Sequence, residues 1–265
     1  MKVKAALRDI VAIYHSRRTG RFALEAIATI ALLTIAIILS SNLNRMPDMQ
    51  SIDDAPTRKA TFFGYLAPIA EALNQDILQQ RSKLLEIADR YRQEQELSFI
   101  AGYQLKSMAQ QYVVDWHESD PESVIAALKR RVDMVPVSLL LVQAAKESGW
   151  GTSRFAREGN NLFGQWCYSK GCGIVPEKRA HGAKHEVREF DSVKDAISAY
   201  LHNINTSKAY TSLRDIRARQ RNAGKTPDGK SLADGLLNYS QRREAYVQEV
   251  KVMLDQYHEF QQQSG

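Results

Sequence analysis

The chain has 265 residues, 44% of them apolar and 25% charged, a balance that suits a folded protein and argues against a disordered one. Its net charge of +6 is concentrated at one end: Lys2, Lys4, Arg8, Arg17, Arg18 and Arg21 face Asp9 alone, so residues 1–21 carry +5 and the rest only +1. A nucleic-acid partner is therefore not expected, because such proteins spread basic charge over the folded surface.

After this basic leader comes "FALEAIATIALLTIAIILSS", about 18 residues of apolar sequence from Phe22 interrupted only by Glu25, which approaches the length needed to cross a bilayer. Basic residues before it and few after it predict an N-terminus in the cytoplasm and a chain that emerges on the other side. A cleaved signal peptide is the alternative, but "IILSSNLN" lacks a small-x-small cleavage site, so an uncleaved anchor over residues 22–40 is favoured over it, and over a buried core helix. Residues 41–60 have no apolar period and contain two prolines, which reads as a linker.

From Thr61, apolar residues from Phe62 to Tyr91 recur every three to four positions, a helix period, with Pro68 as a kink or a delayed start. "SFIAGYQLKSMAQQYVV" predicts a second helix, and "DPESVIAALKRRV" a third, with Asp120 as its N-cap and Pro121 in its first turn. Pro136 opens the next helix, "VSLLLVQAAKE". Residues 149–190 are rich in Gly, Asn and aromatics and predict loops with a small hairpin around Gly182. Four further helical stretches follow: "DSVKDAISAYLHNI", "AYTSLRDIRARQR", "SLADGLLNYS" and "EAYVQEVKVMLDQYHEF". The expected fold is mainly α with one irregular, partly β insert.

Cys167 and Cys172 have four residues between them. Outside a reducing compartment this spacing predicts a short-loop disulfide; His181 and His185 lie nearby but do not complete a zinc spacing, so neither a metal nor a cofactor is expected.

Glu147 stands where the apolar helix stops, followed by Ser148, Gly149, Trp150 and Gly151. The helix is apolar nearly all round, which predicts burial, and the carboxyl faces the negative end of the helix dipole. Both effects favour the protonated form and fit Glu147 to general-acid work, with Trp150 as an apolar wall. A solvent-facing Glu at a helix end is the alternative.

"LLLVQAAKESGWGTSRFAREGNNLFGQW" resembles the signature of the glucosaminidase family of flagellar and autolysin-type peptidoglycan hydrolases (glycoside hydrolase family 73). Gln143, Ala144, Glu147, Ser148, Gly149, Trp150, Gly151, Ser153, Asn161, Leu162, Phe163 and Gly164 fall on the family pattern in order. The likeness continues through "VREFDSVKDAISAYLHNINTSKAY" and "LLNYSQRREAYVQEV", and it is strongest for the Bax-type branch, where a helical segment precedes the signature. The resemblance implies a lysozyme-like fold with a helical lobe and a β-lobe. The implied domain spans residues 125–262, preceded by a packed helical extension over residues 61–124. It implies cleavage of β-1,4-linked N-acetylglucosamine in peptidoglycan, by a monomer anchored in the inner membrane with its catalytic domain in the periplasm. Glu147 falls on the catalytic acid. Glu177, in "IVPEKR", is nearest to the family's second carboxylate, with Pro176 in place of a threonine; Glu186 is the alternative. Tyr239 matches a cleft tyrosine that positions the substrate acetamide. Trp150, Asn161, Phe163 and Trp166 become sugar subsites, although Phe163 also fits core packing and Asn161 a turn cap. A non-catalytic wall-binding protein on the same scaffold is the competing reading.

Overall fold

The computed structural model describes residues 46–264, apart from 178, 180, 181, 238, 240 and 241. The leader and the expected membrane segment over 22–40 lie outside the described residues. Among the described residues, no helix is long and apolar enough to cross a membrane.

Residues 46–60 are not a linker. A 3-10 turn at Met49–Ser51 is capped by Asp48, Met49 is fully buried, and the first helix begins at Ala55 rather than Thr61. Asp54 accepts from the amide of Thr57 and Pro56 sits in the first turn, the two start signals that composition alone concealed. This helix, α1 (Ala55–Glu94), runs unbroken through Pro68. It is followed by α2 (Phe99–Gln111), α3 (Pro121–Arg131), with Asp120 as N-cap as expected, and α4 (Val137–Ser148). The insert contains a short helix that the sequence reading missed, α5 (Arg154–Gly159), capped by Ser153. Three short strands follow: β1 (Trp166–Cys167), β2 (Gly173–Ile174) and β3 (Glu186–Arg188). The chain closes with α6 (Val193–Thr206), α7 (Thr211–Asn222), α8 (Gly229–Ala233) and α9 (Arg243–Ser264).

The strands form one antiparallel sheet in the order β1-β3-β2, with Trp166 opposite Val187 and Ile174 also opposite Val187. The hairpin around Gly182 is thus β2–β3, and β1 adds an unforeseen third strand. Gly173 is obligatory: a Cβ there would sit 2.0 Å from the Val187 carbonyl oxygen.

α4 is the centre of the main core. Leu139 through Ala145 are all buried, walled by Phe62, Phe63 and Leu66 of α1, Ile197 and Ile204 of α6, and Val250 and Leu254 of α9. A second core joins Leu84 and Ile87 of α1 to Leu105 of α2 and Leu128 of α3. α1 therefore serves both cores, and the extension packs as part of one compact unit from Met46 onward. Asn74 fastens α1 to the segment before α4: its side chain donates to the Val135 carbonyl at 2.7 Å and accepts from the Val135 amide at 3.1 Å. The buried Asp133 is held by Arg221 at 2.8 Å, while the buried Arg217 donates to the carbonyls of Arg130, Asp133 and Met134. These contacts satisfy the end of α3 and the turn into α4, so that the last turn of α4 is delivered in one orientation.

Candidate active site

The last turn of α4 ends in a compact knot. Gly149 at φ 58° caps the helix, Trp150 at φ 60° and Gly151 at φ 78° continue in the left-handed region, and the Trp150 amide donates back to Ala145 at 2.8 Å. Ser148 is buried; its hydroxyl donates to the Ala144 carbonyl and accepts from the Gly151 amide. A tryptophan in the left-handed region costs on the order of 1–2 kcal/mol. Its ring offsets that by packing edge-on against Phe62 and Phe63, with centroids at 5.8 and 5.2 Å, and under the Lys59 ammonium at 5.1 Å. Trp150 is thus a clasp between α4 and α1.

Glu147 is half-buried among tyrosines. The Tyr200 hydroxyl donates to Gln143 Oε1 at 2.5 Å, Gln143 Nε2 donates to the Tyr246 hydroxyl at 3.1 Å, and Tyr246 hydrogen-bonds the Glu147 carboxylate. Gln143 and Tyr246 each accept from one neighbour and donate to the next, so the chain fixes which way each hydroxyl points. Burial pushes the Glu147 carboxyl above the ordinary glutamate range; the Tyr246 hydrogen bond and Lys146 oppose that shift without cancelling it. Lys146 is itself occupied: its ammonium pairs with Glu249 and lies 5.5 Å over the Tyr246 ring. Burial also raises the surrounding phenols, Tyr210 to about 12 and Tyr200, Tyr239 and Tyr246 well above their usual value, with the Glu147 charge adding to each. At neutral pH they are uncharged. The sequence puts Gln143 on the family pattern with Glu147 but does not single out Tyr200, Tyr210 or Tyr246. Tyr200 and Tyr246 interrupt apolar helix stripes, and a tyrosine in such a stripe brings a hydroxyl that needs a partner.

Tyr239 joins this group. It stacks on Tyr246 at 5.2 Å, and its hydroxyl donates to the Phe163 carbonyl at 3.0 Å. That bond ties the 161–164 turn to the tyrosine cluster. Phe163 is buried and stacks on Tyr200 at 4.1 Å, so it is core rather than a sugar subsite. Asn161 is also buried: its amide donates to the carbonyls of Gln165 and Arg188, both at 2.8 Å, and its oxygen accepts from the amides of Phe163 and Gln165. With all these groups committed to the turn, Asn161 has a structural role, as its turn-cap reading anticipated.

The remaining carboxylates differ. The Glu177 side chain is 78% exposed and pairs with Arg154 at 3.2 Å. Glu186 is buried and accepts from the amides of Gly171 at 3.1 Å and Gly173 at 3.0 Å, which hold its carboxyl below the usual range. Glu186 therefore shapes the Cys167–Cys172 loop. Those cysteines form a disulfide, with a Cα–Cα distance of 6.2 Å. Among the described residues, the Cys, His, Asp and Glu ligand atoms that converge tightly belong to Cys167, Cys172 and Glu186. Both sulfurs are spent in the disulfide, so this grouping does not fit a metal. Trp166 is 55% exposed and stacks on His185 at 4.3 Å.

A half-buried carboxyl, raised by desolvation and held among neutral phenols at the end of a buried helix, is one that holds its proton more tightly than usual. The family model that matches residues 123–259 is the glucosaminidase model, described as mannosyl-glycoprotein endo-beta-N-acetylglucosaminidase, and the chain belongs to that family. Over 207 residues it is 33% identical to "Protein bax" of Escherichia coli (strain K12), covering 78% of this chain and 72% of that protein, which places it in the Bax-type branch. No solved structure matches it significantly.

Proposed function

We propose that the chain is a peptidoglycan hydrolase that cleaves β-1,4 glycosidic bonds of N-acetylglucosamine, with Glu147 as the general acid. The supporting observation is the Glu147 carboxyl itself, half-buried, raised by desolvation and aimed by the Tyr200–Gln143–Tyr246 chain. A carboxyl that holds its proton more tightly than usual is better suited to protonate a leaving glycosidic oxygen. A helical body with a small β-lobe at the end of the acid's helix is also consistent with a lysozyme-like arrangement.

The second group in this reading is the substrate. Glu177 is solvated and paired with Arg154, and Glu186 is committed to backbone amides, so neither has the environment of a partner carboxylate. As Glu147 protonates the leaving oxygen, the C1–O bond breaks and the carbonyl oxygen of the sugar's own acetamido group closes on C1. The carboxylate left on Glu147 then takes a proton from the water that attacks C1 and reopens the ring, with net retention. Tyr210, a neutral phenol near Glu147, and Tyr239, whose hydroxyl donates to Phe163 and can still accept from an amide N–H, are suited to orient that acetamide. Residues 22–40 anchor the chain in the inner membrane in this reading, and the enzyme works as a periplasmic monomer without a cofactor.

The test is digestion of purified peptidoglycan by the full chain and by Glu147→Gln, followed by borohydride reduction and mass spectrometry. Reduced N-acetylglucosamine, absent with the variant, is the expected result. Reduced muramic acid moves the cut to the other bond. No product from either protein sinks the catalytic reading in favour of a glycan-binding scaffold.

A further inference from the structure

A groove with a cavity volume of about 750 Å³ lies between β1, β3 and α6, lined by Trp166, Arg188, Asp191, Asp195, Ser198 and His202 among others. It is separate from the Glu147 cluster. On α6, the residues that line it (Asp195, Ser198, Ala199, His202 and Asn203) occupy the outward face, whereas Ile197, Tyr200 and Ile204 are buried on the opposite face. Tyr200 belongs to the Glu147 hydrogen-bond chain, so α6 stands between the two. Glu147 does not line the groove.

We infer that this groove is a second saccharide-binding site, taking a neutral β-1,4-linked N-acetylhexosamine strand. This rests on the glycan reading above and extends it to a groove that Glu147 does not line. Three observations carry the choice of ligand. First, the Trp166 indole is half exposed and held flat by the His185 ring, at 14° between planes, which makes a preformed platform for the apolar face of a pyranose. Presetting the ring lowers the ordering cost of binding. Second, the lining is rich in groups that exchange hydrogen bonds with hydroxyls and amides: Gln165, Asp191, Ser198 and Asn203. Gln165 is itself positioned by its donation to the Ala196 carbonyl at 3.0 Å. Third, Arg188 is outnumbered by Glu189, Asp191 and Asp195, and its guanidinium lies over the Phe190 ring at 4.8 Å. That balance disfavours phosphates and nucleic acids and suits a neutral, hydroxyl-rich ligand.

A second site explains why Trp166 is left half exposed while Trp150, Asn161 and Phe163 are taken up by the fold. It would hold a long strand on the enzyme while a different stretch occupies the catalytic site, raising the effective concentration of scissile bonds.

The test uses the full chain carrying Glu147→Gln, so that no substrate is consumed, and the tetramer of β-1,4-linked N-acetylglucosamine as the probe in titration calorimetry. Two sites per chain are expected, falling to one when Trp166→Ala is added. The same number of sites with and without Trp166→Ala overturns the inference. So does a single site that disappears with Trp166→Ala, because Trp166 then belongs to the sole glycan site. A wild-type chain that binds two tetramers but releases no product leaves the groove standing and removes the catalytic reading.

Discussion

The end of α4 and the small β-lobe each hold glutamates, and the fold treats them in opposite ways. At the end of α4, Glu147 is drawn out of water and its phenol partner offsets only part of that loss, so its proton is held more tightly than usual. In the lobe, Glu186 is also buried but receives the amides of Gly171 and Gly173, which stabilise its charge and loosen its proton. Glu177, a few residues away, stays in solvent beside Arg154. Burial alone therefore does not make a general acid. What separates Glu147 from Glu186 is whether the nearby donors outweigh the loss of water.

The sharpest way to break this contrast is at Glu147. Glu147→Gln should lower kcat by about 10³-fold, on the order of 4 kcal/mol of transition-state stabilisation. It should not lower stability. A carboxyl whose folded pKa is raised binds more protons in the folded state, so its ionisation erodes stability as pH rises from the ordinary glutamate value through the folded one. Removing it should leave Tm at neutral pH unchanged or higher; a clear drop in Tm would mark Glu147 as structural instead.

The lobe responds to different changes. Gly173→Ala places a methyl against the Val187 carbonyl and should cost about 2–3 kcal/mol, read as a lower Tm and early proteolytic cutting between residues 167 and 188. An unchanged Tm would mean that β2 and β3 do not pair this closely. Glu186→Gln should speed hydrogen exchange at the Gly171 and Gly173 amides. In the wild type, the stabilisation from Glu186 is present above the ordinary glutamate pKa and lost as pH falls through its depressed folded value, so protection of these amides should fade on acidification. Protection that does not vary with pH would remove the amide–carboxylate contact from the account. A smaller effect is expected at Tyr246. Its hydrogen bond lowers the Glu147 pKa, so Tyr246→Phe should move the alkaline limb of the pH–rate profile upward. A downward move would contradict the assigned direction of that bond.

Much of this contrast was legible in the sequence, for physical reasons that differ by element. α4 announced itself because, from Leu139 to Ala145, Gln143 alone interrupts the small and apolar residues, and Gly149 after Ser148 is a helix stop. The cap at Asp120 was equally local. The start of α1 was not, because Asp54 and Pro56 sit among prolines and charges, and what orders residues 46–60 is Met49 packing into a core built from distant residues. Trp150 and Phe163 read as binding residues because aromatic type says nothing about which partner a ring will find. Those partners, Phe62, Phe63 and Tyr200, lie between 37 and 88 positions away in the chain. The sequence favours Glu177 over Glu186 as the second carboxylate but says nothing of their surroundings; only the fold of the Cys167–Cys172 loop, with two amides turned inward, shows how those differ.

The smallest expected effect is the most discriminating one for mechanism. Glu177→Gln removes a charge that is 78% exposed and paired with Arg154, a surface ion pair worth less than about 1 kcal/mol. If the substrate's acetamide supplies the second group, kcat should change by less than about twofold, since water already screens this charge from Glu147. A loss approaching that of Glu147→Gln would mean that the β2–β3 connection closes over bound glycan and carries Glu177 to the anomeric carbon. The acetamide-assisted route would then give way to a two-carboxylate one. Adding Arg154→Met to Glu177→Gln separates the two explanations. If Arg154 affects turnover only through Glu177, the double variant should match the kcat of Glu177→Gln alone within experimental error; a further loss would mean that its contacts with Glu158 and the Val175 carbonyl also matter.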